Sequence, residues 1–188
     1  TVRIETTLFS GSVIHLAKQY VKIMSNTKAI CRLVKKHRAD LIYTNTSTVI
    51  SGALAALACG VPHVWHLREN ATTFGLRYVL PRRVFERLIP RLSQKVIAVS
   101  EATRASFGLS EVPQAVVIHN GVDLARFRAR RRRARGPMRV VCAGRLSRRK
   151  GTDVIIEAFS LIKEQCDATL DFWGFYSPED FEEYWTMV

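Results

Sequence analysis

Short apolar segments with the composition of β-strands alternate with helix-like segments along most of this chain. The strand-like segments hold aliphatic residues in nearly continuous runs, which is typical of strands buried on both faces. They are predicted at Asp40–Asn45, Pro62–Leu67, Lys95–Ser100, Ala115–Ile118, Arg139–Ala143 and Ala168–Trp173. Strands that alternate with helices form parallel pairs, so the pattern predicts an α/β fold built on a parallel sheet.

Several of the predicted helices carry their own start or stop signals. Ser100 is placed to cap the helix that follows it, and Gly60 with Pro62 ends the helix before them. The predicted helices are Val13–Met24, Thr27–Arg38, Thr48–Cys59, Pro81–Leu92, Glu101–Phe107 and Thr152–Cys166. The helix over 81–92 is basic and amphipathic, and its predicted apolar face consists of Val84, Phe85, Leu88 and Leu92.

A polar, arginine-rich stretch separates two parts of this pattern. Residues 1–123 are predicted to form most of one α/β domain, and residues 138–188 the start of a second. The linker is placed at 124–137, since that stretch is polar or charged and ends in Gly136-Pro137. The second part holds a single strand–helix–strand unit, which predicts an unfinished sheet with an open edge.

The chain has 188 residues and a net charge of +13, much of which is local. Seven arginines and no acidic residue lie between Arg126 and Arg135. Such a run usually forms a solvated loop. Attraction to an anionic membrane surface is an alternative, worth about 1 kcal/mol per basic residue. Nucleic-acid binding is a further alternative, but no nucleic-acid motif accompanies the run, so no such partner is expected.

Cysteine spacing and hydropathy indicate the cellular setting. The four cysteines form no pattern with metal-ligand spacing, which favours a reduced compartment. The longest apolar stretch, Val49–Cys59, is about half as long as a membrane span requires. No leader sequence is visible. A soluble, cytoplasmic protein is therefore expected, with peripheral association at the inner face of a membrane as an extension of that prediction.

The segment Val140–Gly151 has the features of a phosphate-binding turn. An apolar strand ends at Gly144, and two cations, Arg145 and Lys150, follow before a helix that begins near Gly151. Arginine offers a planar fork that matches phosphate oxygens, and lysine offers a compact point charge. The first turn of a helix adds unpaired backbone N–H groups. This order of residues predicts a diphosphate site.

A second motif, Ile118–Asp123, precedes this turn, and the two in this order resemble the retaining GT-B glycosyltransferases of family 4. Asn120-Gly121 within it is expected to form a tight turn with positive φ. Softer matches at Val64–His66 and Val96–Glu101 follow the family order. The resemblance covers roughly Ile30–Gly174 and implies a GT-B type fold, with most of one Rossmann-like domain and the first βαβ of another. The family's paired glutamates are absent, so the resemblance leads us to expect an internal fragment of such an enzyme.

The resemblance implies a sugar transfer from a UDP- or GDP-sugar to a glycan or lipid-linked acceptor, with retention of configuration. No cofactor is implied, and with no Asp-x-Asp pair in the sequence no metal is expected. Arg145 and Lys150 match the pair that grips the donor diphosphate, with Gly144 and Gly151 beside them. His66 matches the histidine that faces the donor sugar near its reacting carbon. Four further residues are candidates for acceptor or donor contacts, namely Arg68, Glu69, Asn120 and Gly121.

Each assignment has a plainer alternative. A histidine at a strand end is often a hydrogen-bonded packing residue, and Glu69 next to Arg68 could form a surface ion pair of little energetic weight. Arg145 and Lys150 could be ordinary surface cations. At the level of the whole chain, the alternatives to a transferase are an inactive truncated fragment and a basic protein that binds anionic surfaces.

Overall fold

The computed structural model describes residues 13–71, 82–127, 136–147 and 150–175. These residues fall into two compact units, which divide between Val122 and Asp123. The predicted linker lies partly outside the described residues, so its bounds stay a prediction.

The first unit is a four-stranded parallel sheet with helices between its strands. Its strands are β1 (Ile42–Thr44), β2 (His63–Leu67), β3 (Lys95–Ala98) and β4 (Ala115–Val117). They lie side by side in sequence order, and every neighbouring pair is parallel. Its helices are α1 (Val13–His37), α2 (Ser51–Cys59), α3 (Arg82–Arg91) and α4 (Glu101–Ser106). All four predicted strands of this unit are confirmed, each slightly shorter than predicted.

The second unit contains one strand–helix–strand arrangement. Strand β5 (Met138–Ala143) pairs in parallel with β6 (Ala168–Trp173), and α5 (Thr152–Lys163) connects them. This confirms the predicted βαβ unit. Both units have the strand–helix alternation and parallel pairing of the predicted α/β fold.

The core of the first unit forms around one face of its sheet. Trp65 of β2 is fully buried, and its ring meets Phe85 of α3 edge to face at 5.5 Å between centroids. Phe107 packs next to Phe85, and Ile89 is also fully buried. Large apolar side chains each contribute roughly 1.5–3 kcal/mol when buried, so this cluster fixes α3 and α4 against the sheet.

The helix ends largely follow the predicted signals. Gly60 is left-handed, with φ of 67°, and its N–H reaches the carbonyls of the last turn of α2. Only a residue tolerant of positive φ closes a helix in this way. The Ser100 hydroxyl accepts a hydrogen bond from the Thr103 N–H and caps α4. Both predicted caps are confirmed.

Three local predictions are wrong. First, α1 continues through Ser25 and Asn26, where two helices were expected. Each of these residues costs under about 1 kcal/mol in a helix, and packing outweighs that cost. The contact includes the Ser51 hydroxyl of α2, which donates to the Ile23 carbonyl at 3.3 Å.

Second, the apolar face of α3 differs from the predicted one. Val84 is 44% exposed, whereas Ile89 is fully buried beside Phe85. The face that covers the sheet is centred on Phe85 and Ile89, which are one helical turn apart, and not on the neighbouring row of Val84 and Leu88.

Third, neither Asn120 nor Gly121 has a positive φ, so the expected tight turn does not form there. The chain instead turns just after Asp123. The Asp123 carboxylate accepts hydrogen bonds from the N–H groups of Ala125 and Arg126, at 2.9 and 3.3 Å. An aspartate that bonds to the backbone two residues ahead supplies the turn by itself.

Candidate functional site

His66 lies in β2, one residue before the carboxyl end of the strand. Its Nδ1 is hydrogen-bonded to the Tyr43 hydroxyl of β1 at 2.5 Å. Its Nε2 is buried and has no partner among the described residues. Burial lowers the pKa of His66, and the nearby Arg68 lowers it further, while Glu69 acts in the opposite direction. The ring is therefore neutral near pH 7, with one nitrogen still available.

A second histidine of β2, His63, has a different environment. It is buried on the core face, where Nε2 meets the Thr44 hydroxyl at 2.9 Å and Nδ1 meets the Leu92 carbonyl at 2.9 Å. Burial lowers its pKa, although the hydrogen bond to Leu92 partly compensates. Since both ring nitrogens have partners, His63 serves as a packing residue.

Glu69 is half-buried just beyond β2 and anchors a loop. Its carboxylate accepts hydrogen bonds from the Thr46 hydroxyl at 2.8 Å and from the Ser47 N–H and hydroxyl at 2.8 and 2.9 Å. Burial alone would raise the pKa of Glu69, but these hydrogen bonds outweigh it and lower the pKa. The carboxylate is thus ionised and committed to the loop after β1. This geometry replaces the surface ion pair with Arg68 as an explanation of Glu69, while Arg68 itself is exposed.

In the second unit, the loop from Gly144 to Gly151 carries the predicted diphosphate ligands. Backbone pairing continues past β5 and β6, since the Gly144 N–H donates to the Trp173 carbonyl at 2.9 Å. Arg145 and Lys150 are both exposed. A Cβ added at Gly144 would meet nothing within 4 Å, so the space beside this backbone is open.

The far end of this loop is closed by a reciprocal contact. The Ser147 N–H donates to the Thr152 hydroxyl at 3.1 Å, and that hydroxyl lies 3.2 Å from the Ser147 carbonyl. Gly151 is left-handed, with φ of 69°, and α5 starts directly after it. Lys150 is therefore held next to the first turn of α5, where the helix dipole favours an anion.

Asn120 and Gly121 are exposed in the extended segment after β4. Their role as donor or acceptor contacts stays a prediction. His66 belongs to the first unit, whereas Arg145 and Lys150 belong to the second.

Two side-chain contacts that shape these sites were not predicted from the sequence. Tyr43 bonds to His66, and the Arg145 guanidinium lies over the Phe175 ring at 5.4 Å from its centroid. A guanidinium stacked on an aromatic ring is partly fixed in place. Tyr43 within β1 and Phe175 just after β6 were the available signals, but strand register was needed to use them.

The described residues also bear on metal binding and on membrane insertion. In residues 13–71, 82–127, 136–147 and 150–175, no group of three or more histidine, cysteine or acidic side chains could hold a metal ion. No helix in those ranges combines the length and apolar character needed to cross a bilayer.

A match to a protein-family model identifies the family of this chain. The model of Glycosyltransferase Family 4 matches residues 5–126, which is well over half of the sequence. The chain belongs to glycosyltransferase family 4. The family resemblance carried by the motifs is therefore confirmed, although the matched region ends before the loop of Arg145 and Lys150. No curated protein gives a significant sequence match to this family 4 chain.

Solved structures with the same fold are found as well. The structure of Anabaena Alr3699/HepE in complex with UDP and glucose is 22% identical, with a TM-score of 0.66 over 86% of this chain and 45% of that one. The lipopolysaccharide outer core galactosyltransferase WaaB, in its apo form, is 13% identical, with a TM-score of 0.57 over 88% of this chain and 44% of that one.

A glycosyltransferase from Rickettsia africae ESF-5 is 17% identical, with a TM-score of 0.55 over 90% of this chain and 54% of that one. The TM-scores of these three structures establish a shared fold. The family 4 chain spans about half the length of the structures it matches.

Proposed function

We propose that this chain supplies part of a transferase that moves a sugar from a nucleoside diphosphate donor to a glycan or lipid-linked acceptor, with retention of configuration. The observation that carries the proposal is the loop between β5 and α5, which presents exposed Arg145 and Lys150 at the start of a helix. The HepE structures contain UDP, UDP with glucose, or UDP-glucose, and this supports a uridine diphosphate donor.

The loop has the parts that a diphosphate requires. The Arg145 fork pairs with two phosphate oxygens, and Lys150 adds a compact charge. As the bond between the sugar and the diphosphate breaks, negative charge grows on the departing nucleoside diphosphate. Fixed cations at that position stabilise the transition state. The open space beside Gly144 lets phosphate oxygens approach the backbone, where a larger residue would project into their path.

His66 is proposed, as the family implies, to donate a hydrogen bond to the transferred sugar. Because its pKa is lowered, the imidazole is neutral at neutral pH and adds no positive charge. A neutral donor can bind a sugar hydroxyl without opposing the oxocarbenium-like charge that develops at the reacting carbon. Retention itself rests on the family to which the chain belongs.

Calorimetric titration of the folded chain with UDP and with GDP tests the diphosphate site. Wild type is expected to bind at least one of them. An Arg145→Ala/Lys150→Ala double variant should lose binding by at least about tenfold for each charge-assisted contact removed, at about 1.5–3 kcal/mol per contact.

Arg139→Ala provides a matched control within the same unit. Arg139 is an exposed cation at the start of β5, and it pairs with Asp171 at 2.7 Å. Its removal should leave nucleotide affinity unchanged. A double variant that binds like wild type would overturn the diphosphate site. A folded wild type that binds neither nucleotide would favour an inactive fragment.

A second activity, attraction to anionic membranes, is favoured by the outer face of α3. Arg83, Arg87 and Arg91 are all exposed and lie one helical turn apart. Phe85 and Ile89 of α3 are buried in the core, and of the apolar side chains Val84 is partly exposed, so membrane contact would rest mainly on charge. Sedimentation with vesicles of anionic lipid should exceed that with neutral lipid, and Arg83→Ser/Arg87→Ser/Arg91→Ser should reduce it. Equal sedimentation with both lipids would exclude this activity.

A further inference from the structure

Tyr43 and His66 lie on the same face of adjacent strands. In the parallel pairing of β1 and β2, Tyr43 is opposite Val64, and His66 is two residues further along β2. Side chains two residues apart on a strand share a face, so the register brings the phenol next to the imidazole. Their rings meet edge to face, with 5.8 Å between centroids and an angle of 78°.

The chemistry of the two groups fixes the direction of their hydrogen bond. A neutral imidazole has one N–H and one strongly accepting nitrogen, while a phenol is a good donor and a weak acceptor. The Tyr43 hydroxyl therefore donates to Nδ1 of His66. The ring proton is then on Nε2, which is the nitrogen that is buried without a partner in the described structure.

We propose that Tyr43 is a positioning residue that holds the His66 ring in its Nε2–H form and directs this N–H to the donor sugar. This inference rests on the proposed function of His66. A buried N–H without a partner is unfavourable in a folded protein, and a ligand oxygen that accepts from it would account for its position. Tyr43 of β1 thus orients the histidine of β2, in the way that an outer partner fixes the tautomer of a catalytic imidazole.

His63 lies in the same strand as His66, β2, and gives an internal reference for the tautomer. Its Nδ1 meets the Leu92 carbonyl, which can only accept, so the proton of His63 is on Nδ1. Its Nε2 then accepts from the Thr44 hydroxyl. The two histidines of β2 are therefore expected to have opposite tautomers, and only that of His66 depends on Tyr43.

Nuclear magnetic resonance of the ring nitrogens tests this proposal on the full chain, labelled with ¹⁵N at histidine. The His66 signals are assigned by their loss in His66→Gln. Wild type at pH about 8 should show His66 as Nε2–H and His63 as Nδ1–H. Tyr43→Phe should introduce a share of Nδ1–H form at His66. It should also raise the titration midpoint of His66 by about half a unit to one unit, since the lost bond stabilised the neutral ring.

Tyr20→Phe is the matched control. Tyr20 is 64% exposed on α1, so removal of its hydroxyl should leave His66 unchanged. The His63 signals report whether Tyr43→Phe keeps the fold, because His63 lies on the core face of the same strand. Among the described residues, the charged groups that act on the pKa of His66 are Arg68 and Glu69, and both stay in place in every variant.

The proposal is overturned if His66 is in the Nδ1–H form in wild type, or if Tyr43→Phe leaves its tautomer and titration unchanged. This measurement needs no nucleotide, whereas the test of the proposed function is nucleotide binding by the second unit. If wild type binds neither nucleotide while Tyr43→Phe still changes the His66 tautomer, the proposed function fails, and with it the direction of the N–H to a donor sugar, but the Tyr43–His66 hydrogen bond stands. If wild type binds UDP while Tyr43→Phe leaves the His66 tautomer unchanged, only the role of Tyr43 is removed.

Discussion

One carboxylate oxygen of Glu69 accepts both the backbone N–H and the hydroxyl of Ser47, at 2.8 and 2.9 Å. The contact ties the loop after β1 to the carboxyl end of β2, the same end at which His66 lies. A charged acceptor bound by two donors of a single residue restricts that loop more than one neutral hydrogen bond would.

Replacement of Glu69 by glutamine should destabilise the chain in a pH-dependent way. Loss of the charge-assisted bonds should lower the free energy of unfolding by about 1–3 kcal/mol at neutral pH. Folding lowers the pKa of Glu69, so its contribution is complete above the ordinary pKa of glutamate and is lost as the pH falls through the folded-state pKa. Urea unfolding from about pH 7 to pH 3 should therefore show the gap between wild type and variant closing in acid.

Glu111→Gln is the control, because Glu111 is exposed. It removes the same charge and should change stability by less than about 0.5 kcal/mol. Equal losses for the two variants would mean that the Ser47 contact adds nothing.

His63 should make folding weaken as the solution becomes mildly acidic. Burial lowers its pKa in the folded state, so the unfolded chain binds a proton first. The contribution of His63 is complete above the unfolded pKa, about 6.5, and is lost as the pH falls toward the folded-state value.

Chemical unfolding between about pH 8 and pH 5 measures this slope. His63→Gln should flatten it. His66 acts with the same sign, and His66→Gln separates its part. An unchanged slope in His63→Gln would show that the buried ring titrates like a free one.

The strands of this chain are predictable because each is a short local run of aliphatic residues, even though the core of the first unit forms on one face of its sheet. The caps at Gly60 and Ser100 are predictable for a similar reason, since each depends on one residue and its own backbone. The turn at Asn120-Gly121 was wrong, because Asp123 supplies a competing turn three residues later.

The contacts in the candidate sites are likewise predictable only where they depend on residues close together in the sequence. Arg145 and Lys150 belong to one continuous loop, so sequence order is enough to group them. The pairing of Tyr43 with His66 depends on the register of two strands that are distant in sequence, and no local signal encodes that register. The ties from Glu69 to Thr46 and Ser47 were missed for the same reason.

Gly52→Ala should destabilise the first unit although alanine is the better helix former. The intrinsic gain in α2 is about 1 kcal/mol. The new Cβ would overlap the Thr44 hydroxyl, which is itself bonded to His63. Overpacking of a close contact costs about 1–3 kcal/mol, so the net effect should be a lower melting temperature by circular dichroism. Gly121→Ala has no neighbour within 4 Å and should be nearly neutral. A Gly52→Ala variant as stable as wild type would contradict this packing.

Gly174→Ala should distort the loop that carries Arg145. A Cβ at Gly174 would overlap the carbonyl oxygen of Gly144, and a backbone atom cannot turn aside as a side chain can. The adjacent bond from the Leu146 N–H to the Phe175 carbonyl, 3.1 Å long, should weaken with it. Faster hydrogen exchange at the Leu146 amide is expected, together with UDP affinity lowered by about tenfold, or 1.4 kcal/mol. Thr169→Ala, at an exposed position of β6, should change neither. Wild-type exchange at Leu146 in Gly174→Ala would show that these strand ends can separate without disturbing the loop.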